Sequence, residues 1–410
     1  MKIAYCSLLL PEEKKIAERT KERLSGISNH KVTAAEIEGI DKNLGSAVDI
    51  FNIINAVNYP KFPQILFRSE KWNHSNEKNH VDYHIGYVNI FGIKYITQYF
   101  KMYRYLKKWI RCLDNQCGII CVHNIYLPNM LAAVMLKRKF KDKIRICLNT
   151  GDVPGNYGLK SQNNRNLKQL LIEQLVDKNV MKLARNFDCY VFVTAAMANA
   201  FGVENKPYAI VECAYTPTTY HDVNMNNVAN EKTIFYAGSV REEYGILHLL
   251  RAFSMIKASD YRLVICGGGP AENKVKEYAM KDSRISYLGF VTPQEVLKNQ
   301  MQATVLVSPR QSVYDYVKYS FPSKSVDSLA SGIPYVAHRL PCDPPEYEAY
   351  IMYADETDEG LRDKLVEICE MSALERKIIG ERAKKFILEE KNPIVMTKVI
   401  TDMWASVVEE

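Results

Sequence analysis

No two of the ten cysteines are spaced C-x-x-C, and several stand inside apolar runs such as ICVH (120–123) and RLVICG (262–267). This pattern argues against a zinc ribbon or a disulfide framework and predicts buried, reduced thiols in a cytoplasmic protein. No stretch reaches the roughly 18 apolar residues that a spanning helix needs. The opening MKIAYCSLLLPEEKK stops at Pro11, too soon for a secretory signal, and reads as a first strand. Any membrane contact is therefore expected to be peripheral. Basic stretches interleaved with aromatics are missing outside residues 99–113, which argues against nucleic acid as a partner. No carboxylate pair with glycosidase logic and no metal-ligand cluster stands out. The excess of Lys and Arg over Asp and Glu is small, 54 against 47; it suits an anionic ligand without deciding for one.

What is present is an α/β pattern. A chain of 410 residues, 47% apolar and 25% charged, is too long for one core and predicts two domains. Short β-rich runs alternate with helical stretches throughout, as parallel sheets built from βαβ units require. The strands expected in the first half are KIAYCSLL, GIICVH, IRICLNT, CYVFVT and YAIVECA. Those in the second are TIFYAGS, RLVICGG, ISYLGF, ATVLVSP and PYVAH. Residues 214–232, rich in Thr and Asn, read as the linker between a domain at 1–213 and another at 233–391. The last residues, 392–410, read as a helix that can dock back on the first domain. Two such Rossmann-like halves would face a cleft, with ligands beyond the carboxyl ends of the strands.

The segment YFKMYRYLKKWIRCL (99–113) places Lys101, Arg104, Lys107, Lys108 and Arg111 on one helical arc. Met102, Tyr103, Leu106, Trp109, Ile110 and Leu113 share the other. Such a helix either lies on anionic lipid or packs on the sheet with a solvated basic face.

The stretch YSFPSKSVDSLASGIPYVAH (319–338) carries the clearest chemistry. Pro322 is suited to the first turn of a helix that Gly332 and Pro334 end, over residues 322–331. The first-turn amides of Ser323, Lys324 and Ser325 then point outward at the positive end of the helix dipole, an arrangement that binds phosphate. Lys324 adds a full charge, and Asp327 one turn on can accept ribose hydroxyls. The same residues also read as an i, i+3 ion pair in a helix that Pro322 and Gly332 merely punctuate.

Five motifs in order, YAGS (236–239) with GILHLLRAF, LVICGGGP (263–270), ISYLGFV (285–291), VLVSPR (305–310) and FPSKSVDSLASGIPYV, make residues 235–392 resemble the donor domain of retaining glycosyltransferases of the GT-B fold. The resemblance is to the family-four group, which holds many bacterial polysaccharide enzymes. It implies a UDP- or GDP-linked sugar as co-substrate, with no further cofactor and no metal. Phe290 and Val291 would flank the base, Asp327 would hold the ribose, and Ser320, Phe321, Pro322, Ser323 and Lys324 would meet the diphosphate. Gly238 and the Gly267, Gly268, Gly269 loop would approach the donor where side chains cannot fit.

The chain departs from the family pattern at three places. Tyr319 stands where members often carry an acid touching the donor sugar. Ser239 and Tyr244 replace the usual Arg and Lys, leaving Arg241, or Lys324 with Lys318, to neutralise the diphosphate. The glycine-rich loop after the first strand is replaced by LLLPEEKK. In the amino-terminal half, His123 after GIICV and Asp152 within LNTGDVPGNY fall at strand ends. The resemblance implies that Asp152 orients or deprotonates the acceptor hydroxyl, with His123 as the other candidate and Lys324 stabilising the leaving group. A turn-forming Asp152 and a surface His123 are the plain alternatives.

The function expected is transfer of a hexose to a glycan or lipid-linked glycan, with retention, at the inner face of the cell membrane in surface polysaccharide or capsule assembly. The rivals are a non-catalytic partner subunit of the same fold and a nucleotide-sugar epimerase or hydrolase.

Overall fold

The computed structural model describes residues 1–9, 27–77, 79–114, 116–155, 167–217 and 232–409. Residues 10–15 of LLLPEEKK and most of the expected linker lie outside this set. The chain divides into two compact units, Met1–Thr216 with Asn392–Glu410, and Pro217–Lys391.

The strands of the first unit are β1 (Lys2–Ser7), β2 (Asp49–Asn52), β3 (Leu66–Phe67), β4 (Glu70–Trp72), β5 (Asp82–His84), β6 (Tyr87–Val88), β7 (Gly118–His123), β8 (Ile144–Thr150), β9 (Cys189–Phe192) and β10 (Tyr208–Ile210). Eight of them form one sheet in the order β10-β9-β8-β7-β1-β2-β5-β4. The pairs from β10 to β5 are parallel. The edge strand β4 is antiparallel to β5, and β3 pairs β6 antiparallel apart from the main sheet. The main sheet is thus parallel as expected, with an antiparallel edge strand added. Residues 66–88 hold strands of two or three residues, too short to show a hydrophobic period. The central strands β1 and β7 are buried on both faces, which is why KIAYCS and GIICVH read as unbroken apolar runs.

Among the described residues, five helices accompany these strands: α1 (Ile27–Leu44), α2 (Ile93–Arg111), α3 (Leu127–Phe140), α4 (Leu167–Ala184) and α5 (Ala196–Phe201). Ala35, Ile37 and Ile40 of α1 share a core with Tyr5, Ile50, Ile119 and Cys121, and with Met396, Ile400, Trp404 and Val407 from the end of the chain. Helix α2 starts at Ile93, well before the basic segment, after Gly92 in a left-handed conformation (φ 78°). Its Met102, Leu106, Trp109 and Ile110 are buried, while Arg104, Lys108 and Arg111 are exposed. The apolar arc thus packs inward, and the Trp109 indole donates to Asp49 Oδ2 at 2.7 Å.

The second unit holds β11 (Lys232–Ala237), β12 (Tyr261–Cys266), β13 (Ile285–Gly289), β14 (Val305–Ser308), β15 (Tyr335–Ala337) and β16 (Met352–Tyr353). They form one parallel sheet in the order β13-β12-β11-β14-β15-β16. The helices are α6 (Ile246–Met255), α7 (Glu272–Lys281), α8 (Pro293–Met301), α9 (Ser323–Ala330), α10 (Asp358–Glu370) and α11 (Ala373–Glu390). Thr292 caps α8 and Ser372 caps α11, each in a reciprocal bond with a glutamate three residues on, Glu295 and Glu375. Leu249, Phe253, Leu263, Ile265, Val305, Val336, Leu361 and Leu365 form the core.

The last helix, α12 (Pro393–Glu409), belongs to the first unit. It crosses α1 closely at Gly39, where a Cβ would stand 2.2 Å from the Pro393 carbonyl oxygen. Asn43 of α1 donates to Ile394 O at 2.8 Å.

Candidate functional site

The second sheet grows outward from β11 in both directions, through β12 and β13 on one side and β14 to β16 on the other. The point between β11 and β14 is therefore a topological switch, where loops leaving the carboxyl ends diverge and leave room for a ligand. The motifs singled out in the sequence follow this edge: residues 238–241 after β11, 267–269 after β12, Phe290 after β13, Arg310 after β14, and the start of α9.

Helix α9 begins at Ser323, with Pro322 as its cap at φ −77° and ψ 89°. Pro322 therefore stands before the first turn rather than in it. The Ser325 amide donates to Pro322 O at 2.8 Å, which removes it from the three donors expected. The amides of Ser323 and Lys324 have no backbone acceptor among the described residues and remain at the positive end of the helix. The Lys324 ammonium donates to Ala237 O at 3.1 Å. Its side chain keeps solvent contact, yet desolvation of the ammonium lowers its pKa, against the opposing pull of Asp327 and Cys266. Asp327 is exposed.

The glycines serve the loops themselves. Gly267 has φ +128°, and a Cβ there would stand 1.8 Å from Gly238 O; at Gly269 it would stand 2.3 Å from Val240 O. Val240 N donates to Gly268 O at 3.0 Å and Gly238 N to Cys266 O at 3.0 Å. The space expected for a donor at these Cβ positions is filled by the facing loop. Ser239 contributes its carbonyl to Tyr236 Oη at 2.8 Å.

Arg310 is a cation that sequence reasoning left inside a motif without a role. Its guanidinium lies 4.7 Å from the Tyr244 ring centre and 5.3 Å from that of Tyr316, and it donates to Ser320 O at 3.1 Å. The aromatic Tyr244, which departs from the family pattern, is thus a platform for a neighbouring positive charge. Arg241 is half-buried, and its guanidinium makes no hydrogen bond or ion pair among the described residues. Lys318 instead pairs with Asp315 at 2.5 Å and lies over the Tyr319 ring at 5.0 Å. Phe321 is buried against Tyr347, with ring centres 5.5 Å apart, so it anchors the α9 start from inside. Phe290 is 84% exposed and Val291 half-buried.

In the first unit, His123 ends β7 and is buried, not a surface group. Burial lowers its pKa to about 4. Its ring stacks on Tyr5 with centres 5.9 Å apart, and Nε2 lies 3.4 Å from Thr33 Oγ1. Beside it sits Glu36, which sequence analysis did not single out. Tyr5 Oη donates to its carboxyl at 2.7 Å, and Asn149 Nδ2 donates to the same oxygen. Burial pushes the Glu36 pKa to about 7, with the Tyr5 and Asn149 hydrogen bonds pulling the other way. The signal was an acid inside the apolar spacing of α1, between Thr33 and Ile40. Asp152 is exposed and sits in a turn: its amide donates to Thr150 Oγ1 at 3.1 Å, and that hydroxyl donates to Asp152 O at 3.2 Å. Desolvation by surrounding protein raises its carboxyl pKa. His123 and Asp152 follow neighbouring parallel strands, β7 and β8, at the carboxyl edge of this sheet.

Residues 231–371 match the family model described as Glycosyl transferases group 1. The matched segment falls within the second unit. Solved structures similar to the chain include the sucrose-phosphate synthase of Thermosynechococcus elongatus, at 13% identity and a TM-score of 0.66 with 100% of each chain covered. The lipopolysaccharide outer core galactosyltransferase WaaB in its apo form aligns at 13% identity and 0.58, covering 99% of each chain. The trehalose-6-phosphate structure from E. coli bound with UDP-2-fluoro glucose aligns at 11% and 0.63, covering 100% of this chain and 99% of that one. These similarities extend over both units and show the GT-B fold. No curated protein matches the sequence. Within the matched segment, Lys324, Asp327, Arg241 and Arg310 all belong to the carboxyl edge at the switch point.

Proposed function

We propose that the protein is a metal-independent, retaining hexosyltransferase that moves a sugar from a UDP- or GDP-linked donor to a hydroxyl of a glycan or lipid-linked glycan in bacterial surface polysaccharide assembly. One observation carries this reading: the open start of α9, with the Lys324 ammonium tied to the end of β11 at the switch point. As the bond from the anomeric carbon to the diphosphate breaks, charge grows on the leaving phosphate oxygen. The two free amides, Lys324 and the unpaired Arg241 stand where preorganised dipoles and cations offset that charge. Asp327 holds the ribose, exposed Phe290 covers the base, and Asp152 orients the acceptor hydroxyl.

The start of α2 supports an acceptor at a membrane. Phe91, Ile96 and Phe100 are 81%, 57% and 58% exposed, with Arg104 and Lys108 exposed further along the helix. Apolar insertion joined to positive charge fits the inner leaflet's anionic lipid. Beside it a cavity of about 520 Å³ is lined by Asn55, Tyr59, Lys61, Phe91, Lys94 and Tyr95. The Lys94 ammonium in it donates to Asn55 Oδ1 at 2.9 Å, and burial lowers its pKa to about 8.

Thermal shift with UDP, GDP and their sugars tests the donor half. One nucleoside diphosphate should raise Tm and lose that effect in Lys324→Ala with Asp327→Ala; unchanged binding in the double variant rejects the reading. A non-catalytic GT-B subunit is the second reading, favoured by the engagement of Lys318 with Asp315 instead of an open diphosphate site. Nucleotide binding without transfer to any glycan, together with tight binding to another transferase, would favour it.

A further inference from the structure

The edge of the first sheet remote from these loops holds a second cluster of chemistry-bearing side chains. Asp82 opens β5, in register with Ile50, the second residue of the parallel strand β2, so the cluster lies toward the amino ends of the strands. His74 Nδ1 is 2.8 Å from Asp82 Oδ2, and His80 Nε2 is 3.2 Å from the same oxygen. The three ligand atoms lie within 4.8 Å of one another. The Asp82 side chain is 0% exposed, that of His80 2% and that of His74 12%.

We propose that His74 Nδ1, His80 Nε2 and Asp82 Oδ2 bind a divalent cation of the zinc class, which clamps the β4–β5 edge to α1. Two features favour a metal over a plain hydrogen-bonded cluster. The His80 side chain is buried, and neither of its ring nitrogens makes a hydrogen bond although Nε2 stands 3.2 Å from Asp82 Oδ2. A buried imidazole without a partner is costly unless something takes its lone pair. The other nitrogen of His74, Nε2, lies 2.9 Å from Asp41 Oδ2. A carboxylate behind a histidine in this way fixes the tautomer and orients the ring of a metal ligand.

The frame is already built. Asp82 Oδ1 accepts from Ile50 N at 3.0 Å, and Asp41 Oδ1 from Val48 N at 2.9 Å. Bonds of about 2.0–2.1 Å in a tetrahedral site put ligand atoms about 3.3 Å apart, so the 2.8 and 3.2 Å separations would open by up to about half an ångström and the two histidine nitrogens, within 4.8 Å of each other, would draw to the same spacing. Two imidazoles and one carboxylate suit zinc, with water as a fourth ligand. Residues 74, 80 and 82 lie on a loop and a short strand, and Asp41 on a helix far upstream, so the sequence shows no recognisable ligand spacing.

The test uses the full chain, stripped with chelator and titrated with zinc and with cobalt(II) alone, read by calorimetry, visible absorption and Tm. One ion per chain is expected, with a rise in Tm and a cobalt spectrum of nitrogen and oxygen ligands. Asp41→Asn should weaken binding about 10- to 100-fold, as loss of a supporting carboxylate does. His80→Gln should abolish it, and His80→Cys should retain cobalt while adding a thiolate charge-transfer band. No binding by the folded protein overturns the proposal and leaves His74 as an imidazolium held between Asp41 and Asp82. A thiolate band already present in the unsubstituted chain, or affinity unchanged in His80→Gln, also overturns it by placing the ion on cysteine elsewhere.

Discussion

Lys324 donates to the carbonyl oxygen of Ala237 across 3.1 Å, joining the start of α9 to the last residue of β11. This bond sets the ammonium over the switch point, but it uses one of three donors and leaves the others for an anion. Lys324→Met should weaken nucleoside diphosphate binding about 10- to 100-fold, the size of one charged hydrogen bond. Titration calorimetry measures this, and the circular dichroism should stay as in the parent.

Asp327 and Lys324 address different parts of the donor. Asp327→Ala should weaken UDP or GDP about tenfold, as loss of a hydrogen-bonded carboxylate does, and leave inorganic pyrophosphate affinity unchanged. Equal losses for both ligands would remove Asp327 from the ribose.

Glu36 gives the folded chain an unusual pH response. Its pKa rises from its ordinary 4.5 to about 7 on burial, so between those values the folded chain keeps a proton that the unfolded chain has released. Stability therefore falls as pH rises through this window, by about 3 kcal/mol at roughly 1.4 kcal/mol per unit. Glu36→Gln keeps acceptors for Tyr5 and Asn149 and should flatten this part of the profile, making the variant more stable than the parent at pH 8. Urea unfolding across the range measures both curves.

Gly267 cannot accept a side chain without parting two loops, since a Cβ would meet Gly238 O at 1.8 Å on a backbone at φ +128°. Gly267→Ala should cost about 3 kcal/mol, whereas Gly45→Ala, also at positive φ but with nothing near its Cβ, should cost about 1 kcal/mol. Chemical denaturation of the two variants separates crowding from backbone strain.

The exposed Phe91 and Phe100 should govern lipid association. Phe91→Ser with Phe100→Ser should reduce co-sedimentation with phosphatidylserine vesicles about tenfold or more, each ring adding apolar burial of about 1.5–3 kcal/mol. Binding of the parent should weaken with salt as its basic residues are screened. Equal sedimentation of parent and variant would remove the lipid role.

Most of the strand pattern was legible because the central strands are covered on both faces, which leaves continuous runs such as GIICVH and IRICLNT. β2 and the short strands from β3 to β6 escaped because each gives only two to four residues of signal. The α9 helix was readable from Pro322 and Gly332, since helix-end signals act locally. The fate of the Ser325 amide was not, because one residue decides whether Pro322 caps the helix or enters it. The partners of Glu36 and Arg310, and the Asp41 carboxylate behind His74, come from segments far apart in the chain, and such contacts have no spacing to read. Asp152 illustrates the converse: its turn with Thr150 was foreseeable from local sequence.

Helix α12 puts Trp404 and Ile400, both fully buried, into the core of the first unit, although more than 170 residues of the other unit are translated before them. On a ribosome, the first sheet therefore emerges with a groove along α1 where α12 should lie, and its apolar lining waits in water until residues 393–409 are made. Truncation just before Pro393 should then damage the amino-terminal half of the protein, with the portion beside the missing residues in sequence being the one that still folds.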